Sequence, residues 1–130
     1  SVALVAEQAL RRVEYLHSKG LIHRDLKPEN FLFGVGGRIH HIYLIDFGLS
    51  RRYCSKDGHE KQGAKRAGFT GNIRYASVNA LRGVPQTRRD DLEALAYVFL
   101  VLLRGELPWS GLQRPTAEEV LAQHAAGQAR

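Results

Sequence analysis

The chain has no methionine, one cysteine and one tryptophan among its 130 residues. A lone Cys54 excludes an intramolecular disulfide framework and a zinc site built from several thiolates, and it is compatible with a reducing compartment. The longest apolar run, Ala94 to Leu103, falls far short of the roughly 20 residues a membrane helix needs, and it reads as a buried core helix. The opening segment is interrupted by Glu7, Arg11 and Arg12, so it lacks the basic-then-apolar order of a signal peptide. Acidic residues are scarce, 13 against 19 Lys plus Arg, leaving a formal net charge of +6. That excess calls for an anionic partner, whether phosphate, acidic peptide, nucleic acid or membrane surface.

What is present describes a soluble globular chain of one domain, 44% hydrophobic and 25% charged. Val2, Val5, Ala6, Ala9, Leu10, Val13 and Leu16 recur at helical spacing and predict an amphipathic helix ending near Ser18-Lys19-Gly20. Pro28 and mixed charges deny a helix over Leu21 to Asn30. Phe31 to Phe33 and Ile39 to Ile45 read as two short strands of a hairpin, with Gly34, Gly36 and Gly37 between them. From Gly48 to about Arg89 the sequence is polar, basic and without sustained period, and a loop of that length is usually functional. Thr87-Arg88-Arg89-Asp90 fits a capping box ahead of a helix reaching about Leu103, apolar nearly all round and therefore expected to be central and buried. Thr116 caps one further helix to about Ala126, with Glu118 and Glu119 in its first turn.

Two segments carry chemistry. His23-Arg24-Asp25-Leu26-Lys27-Pro28-Glu29-Asn30 is followed, one hairpin later, by Asp46-Phe47-Gly48. The hairpin returns the chain so that Asp46 arrives beside Asn30, and one carboxylate and one amide oxygen converge where hard Mg²⁺ ions can bridge them to phosphates. Asp25 can accept the proton of an incoming hydroxyl, and Lys27 can neutralise charge on a transferring phosphoryl group. The two motifs at this separation match the pattern H-R-D-L-x-x-x-N followed by D-F-G. Either triplet alone is a weak signal; the pair at this spacing is a specific one.

These residues resemble the middle of a eukaryotic protein kinase, and Lys27 is the form found in serine/threonine kinases. More narrowly the chain is similar to the casein kinase 1 family, on HRDLKPENFLFG (His23 to Gly34), YLIDFGLS (Tyr43 to Ser50), RYASVN (Arg74 to Asn79), QTRRDDLEALAY (Gln86 to Tyr97) and LPWSGL (Leu107 to Leu112). Ser77-Val78-Asn79 stands where most kinases carry Ala-Pro-Glu, a replacement typical of that group. The resemblance covers Ser1 to about Leu112, and residues 113–130 match poorly. It implies a mainly α (α+β) fold, the large helical lobe of a kinase with a short β-hairpin at the cleft, the ATP-covering lobe being absent from residues 1–130. It implies a non-specific serine/threonine protein kinase that transfers the ATP γ-phosphate, with ATP and Mg²⁺ as cofactors and acidic or phospho-primed proteins as substrates. Residue by residue, Asp25 would be the catalytic base with Lys27 beside it, and Asn30 and Asp46 would hold Mg²⁺. Lys27, Asn30, Leu32, Ile45 and Asp46 would contact ATP, with Leu32 and Ile45 on the adenine side. His23 and Asp91 would support the catalytic loop, and Arg74 would bind an anion of the substrate.

Several features depart from that pattern. No glycine-rich loop, no V-A-I-K lysine and no helical glutamate partner lie in these residues, so the chain is expected to be cut from a longer one and inactive alone. Asn72 stands where these kinases usually have Thr, and Ala96 replaces a usual Gly. The rival reading is a truncated or pseudokinase-like module docking through its basic segment, Arg51, Arg52, Lys56, Lys61, Lys65 and Arg66. Nucleic-acid binding through the net charge has no recognition motif. Trp109 reads as a packing anchor, and His40 and His41 as exposed hairpin residues. A monomer in the cytoplasm or nucleus, without a membrane segment, completes the expectation.

Overall fold

The computed structural model describes residues 1–54, 69–113 and 115–128. Ser1 Oγ accepts the N–H of Leu4 and starts helix α1, Val2–Ser18, whose buried face is Ala9, Val13 and Leu16. Gly20 ends it with φ +79°, and a Cβ there would stand 3.1 Å from Cys54 Sγ, so the residue serves both the left-handed turn and the close passage. Strand β1, Leu21–Ile22, then pairs antiparallel with β4, Arg51–Arg52. Strands β2, Phe31–Phe33, and β3, Ile42–Leu44, form the second antiparallel pair, with Phe31 opposite Leu44 and Phe33 opposite Ile42.

The hairpin is clipped to α1 by polar side chains. Gln8 donates to His40 O at 2.7 Å and accepts the N–H of Ile42 at 2.9 Å, while Arg12 Nε donates to Ile42 O at 3.0 Å. The expected strand from Ile39 begins only at Ile42. A 3₁₀ turn over Gly36–Arg38 holds Ile39, whose N–H donates to Gly36 O, in a helical conformation.

Within the stretch read as an unbroken loop lie β4 and a one-turn helix α2, Val78–Leu81, capped by Ser77. Helix α3, Arg88–Arg104, opens on the capping box of Thr87 and Asp90 and closes at left-handed Gly105. It is not buried all round. Asp90, Asp91, Ala94, Leu95 and Val98 face the interior, whereas Leu102 is exposed and Leu103 is 67% exposed, because no described element covers that side of its last turns. Helix α4, Ala117–Gln128, starts on a reciprocal pair, Glu119 N–H to Thr116 Oγ1 and Thr116 N–H to a Glu119 carboxylate oxygen.

The apolar interior falls into two clusters. Ala9, Val13, Leu26, Ala94 and Leu95 join α1 and α3 beneath the segment that follows β1. Leu81, Leu107, Trp109 and Val120 join α2 and α4, with Tyr97 and Val101 of α3 packed against them. The four helices and two two-stranded sheets among the described residues match the mainly α architecture with a short hairpin. None of those helices is long and apolar enough to cross a membrane.

Candidate active site

The first turn of α3 shapes the segment after β1. Asp91, only 2% exposed, accepts the N–H of His23 at 2.8 Å on Oδ2 and that of Arg24 at 3.0 Å on Oδ1. Binding two consecutive amides to one carboxylate bends the chain, and Arg24 takes a left-handed φ of 69°. His23 is fully buried, and its Nδ1 accepts the N–H of Asp25 at 3.2 Å. That bond places the ring proton on Nε2, which donates to Ile45 O at 3.0 Å. One imidazole thereby ties the His23–Asp25 bend to the end of β3, and the Phe47 ring meets it edge-on at 5.5 Å.

Asn30 completes the link. Its Nδ2 donates to Asp25 O at 2.8 Å, and its carbonyl accepts the N–H of Ile45 at 2.9 Å. Asp46 follows directly, exposed and in a left-handed conformation with φ 60°, its Oδ1 taking the N–H of Gly48 at 3.3 Å. Lys27 Nζ lies 3.6 Å from Asp25 Oδ2. The structure thus brings Asp25, Lys27, Asn30 and Asp46 into one neighbourhood through main-chain contacts the hairpin creates. Arg24 Nε donates to Leu49 O at 2.8 Å, and burial, then neighbouring Arg51, hold its guanidinium below the usual arginine value while Asp91 opposes.

The donor set fits Mg²⁺. Asn30 commits its amide nitrogen to Asp25 O and keeps Oδ1 as an acceptor, and Asp46 offers an exposed carboxylate. Among the described residues no three His, Cys, Asp or Glu side chains converge, as a protein-only metal cage would require. Mg²⁺ instead takes one or two protein oxygens together with phosphate and water.

Leu32 lies exposed on β2 and Ile45 is half-buried at the end of β3. An apolar cavity of about 380 Å³ adjoins Leu32, lined also by Val5, Ala9, Phe33, Val98 and Phe99, with no charged side chain for phosphate chemistry. Arg74 is turned elsewhere: its guanidinium donates to Ser110 O at 3.0 Å and Leu112 O at 2.8 Å. The Asn72 amide oxygen accepts the N–H of Arg74 at 2.8 Å. Of the basic segment, Arg51 and Arg52 form β4, while Lys56, Lys61, Lys65 and Arg66 lie outside the described residues. Trp109 is buried and donates its indole N–H to Arg74 O at 2.6 Å; His40 and His41 are exposed.

Sequence reasoning missed several positions. His17 Nε2 lies 2.8 Å from Asp91 Oδ2, making α1 a third member of that contact. Gly71, at φ +120°, passes so close to the bend that a Cβ would stand 2.3 Å from Arg24 O. Asp90 is more than a cap, because its Oδ1 accepts the Ser77 hydroxyl at 2.6 Å, and Glu93 accepts the N–H of Val78 at 3.1 Å. Three acids in four positions, Asp90, Asp91 and Glu93, were the available signal: more carboxylates than a helix start needs. A family model described as a protein kinase domain matches residues 1–128.

Proposed function

The chain belongs to the protein kinase family, and from that premise we propose that it carries the phosphotransfer machinery of a serine/threonine kinase of casein kinase 1 type. One relationship supports this most: Asn30 and Ile45 joined main chain to main chain, with Asp25 and Lys27 on one side and Asp46 on the other. In this reading Asp25 orients the substrate hydroxyl and takes its proton, and Lys27 sits close enough to screen charge on the phosphoryl oxygens. Asn30 Oδ1 and the Asp46 carboxylate would hold Mg²⁺, which when bound neutralises the phosphates of ATP. His23 and Asp91 do no chemistry; with the amide nitrogen of Asn30 they hold Asp25 and Asp46 at a set separation, and positioning supplies most of the catalysis in this reaction class. Leu32 and Ile45 would form the adenine side.

Acidic or phospho-primed proteins are the proposed substrates, with Arg74 as an anion contact. Two of its five guanidinium donors hold it to Ser110 and Leu112, and the remaining donors can take a carboxylate or phosphate. The +6 net charge favours the same partners. Residues 1–130 contain no glycine-rich loop to cover the nucleotide, so phosphotransfer needs an ATP-covering lobe beyond them.

The test uses Mg-ATP and casein. The 130 residues alone should transfer no measurable phosphate. Accompanied in cis by an ATP-covering lobe they should label serine and threonine, and Asp25→Asn should cut that transfer by about 10²- to 10⁴-fold. Transfer indifferent to Asp25→Asn, or confined to tyrosine, overturns the reading. Failure of the two-lobed protein to transfer phosphate while still binding acidic peptide would favour a docking module instead.

A further inference from the structure

His124 of α4 occupies an unusual place for an ionisable side chain. It is 8% exposed, its ring stacks on Trp109 at 3.9 Å, and Tyr97 packs on it at 5.3 Å. Tyr97 Oη donates to Glu93 Oε1 at 2.5 Å, so at 3.5 Å from His124 Nδ1 it is left to accept the ring proton. Nε2 is then an unprotonated nitrogen, buried and without a partner among the described residues. The neutral ring tolerates this; an imidazolium would bury a charged N–H with nothing to receive it.

Two chains of contact run from this ring to the segment between Gly71 and α2. Through the stack it reaches Trp109, whose indole N–H donates to Arg74 O at 2.6 Å. Through Tyr97 it reaches Glu93, whose Oε1 also accepts the N–H of Val78 at 3.1 Å. The Arg74 guanidinium returns to Ser110 and Leu112 on either side of Gly111 and closes the circle. Both ends of residues 74–78 therefore rest on contacts that converge on one histidine.

We propose that neutral His124 is a positioning residue for segment 74–78, and that protonating it releases both the Trp109–Arg74 and the Glu93–Val78 contacts. The assignment of this segment to substrate binding rests on the function proposed above. Among the described residues the titratable groups that face the ring are Tyr97 and Glu93 of α3; α2, Val-Asn-Ala-Leu, brings no titratable side chain. On α4 itself, Glu118 and Glu119 belong to the first turn, where Glu119 is engaged with Thr116. Burial holds the imidazole below its ordinary 6.5, with Glu93 opposing. The released histidine takes its proton from about 6.5 downward and the docked one only at lower pH. The docked state is accordingly favoured at neutral pH and loses ground as pH falls below 6.5.

Trp109 is the single tryptophan, so emission reports the stack directly. On acidification the emission of the 130-residue chain should change with a midpoint below 6.5. Corrected for intrinsic rates, hydrogen-exchange protection of the Val78 amide and the Trp109 indole should fall with the same midpoint, while Val13 and Leu16 in α1 stay protected. His124→Gln, neutral throughout, should remove the transition. Where far-UV dichroism shows that variant unfolded, the NMR titration of the His124 ring protons in the unaltered chain carries the same test, and its midpoint must coincide with the exchange midpoint. A transition surviving in folded His124→Gln, a ring midpoint at or above 6.5, or Val78 protection indifferent to pH overturns the proposal. None of these readouts requires phosphotransfer, so failure here and failure of the kinase reading are separate results.

Discussion

Asp91 and His23 are joined twice over, directly and through a neighbour. Asp91 Oδ2 takes the His23 N–H at 2.8 Å, and its Oδ1 takes the next amide, that of Arg24, at 3.0 Å. The first turn of a long helix thus dictates the bend that presents Asp25. Asp91→Ala would leave two amides without acceptors in the interior, and buried unsatisfied donors cost about 1–3 kcal/mol each. We expect a loss of about 2–4 kcal/mol in urea denaturation, with Asp91→Asn milder because its amide oxygen still accepts. A change within ±0.5 kcal/mol, the range usual for unremarkable surface positions, would remove Asp91 from this role.

The two proposed metal ligands differ in what else they do. Asn30 is buried and holds Asp25 O, whereas Asp46 is exposed and among the described residues bonds toward Gly48. Asp46→Ala should therefore abolish the Mg²⁺-dependent part of nucleotide binding and lower the urea midpoint by less than Asn30→Ala, the cost being the bond to Gly48 and a left-handed φ that Ala tolerates less well than Asp. Asn30→Ala should remove the Mg²⁺ dependence and lower the midpoint further. Calorimetric titration with ADP, with and without Mg²⁺, reads the first effect. Mg²⁺ dependence that survives Asp46→Ala contradicts the assignment.

Tyr97 gives a prediction at alkaline pH. Burial, then the hydrogen bond and charge of Glu93, push its phenol above the ordinary value of 10.0. A folded value raised above the unfolded one contributes stability that is complete below the unfolded value and is lost as pH rises past it. Stability should decline above pH 10.0 more steeply in the native chain than in Tyr97→Phe. Urea midpoints of both proteins measured across that range decide it, and equal slopes would show that Tyr97 is not held protonated by the fold.

How much of this was legible in the sequence follows from the range of each interaction. The capping box of Thr87 and Asp90 spans three residues, and the hairpin of Phe31–Phe33 with Ile42–Leu44 is closed by its own glycines, so both could be read locally. The juxtaposition of Asn30 and Asp46 followed from the same hairpin. By contrast Ser77 meets Asp90, Trp109 meets Arg74 and His124 meets Tyr97 only after distant segments pack, and no periodicity announces such pairs. Arg74 illustrates the limit: its charge was visible, but its commitment to the Ser110 and Leu112 carbonyls was not. The outer face of α3 misled for a related reason, since Leu102 and Leu103 are as apolar as Leu95 but have no described neighbour to bury them.

Gly71 and Gly37 offer a controlled pair. Both are short of side chain, yet a Cβ at Gly37 meets nothing within 4 Å, while at Gly71 it would stand 2.3 Å from the Arg24 carbonyl. Backbone rather than a flexible side chain is in the way, and φ +120° adds strain for any L residue. Gly71→Ala must push residues 70–72 off the bend that carries Asp25, and the Gln86 amide bond to Thr70 O at 3.0 Å is stretched with it. We expect a cost of about 1–3 kcal/mol, against no loss or a gain of about 0.4–1 kcal/mol for Gly37→Ala, where only unfolded-chain entropy changes. Urea denaturation gives both values. If phosphotransfer is measured in the two-lobed protein, Gly71→Ala should raise the KM for peptide and leave that for ATP unchanged, because the displaced segment leads into Arg74, the proposed substrate contact. Equal stabilities for the two variants would mean that the segment yields freely, and that its contact with Arg24 O does not hold it in place.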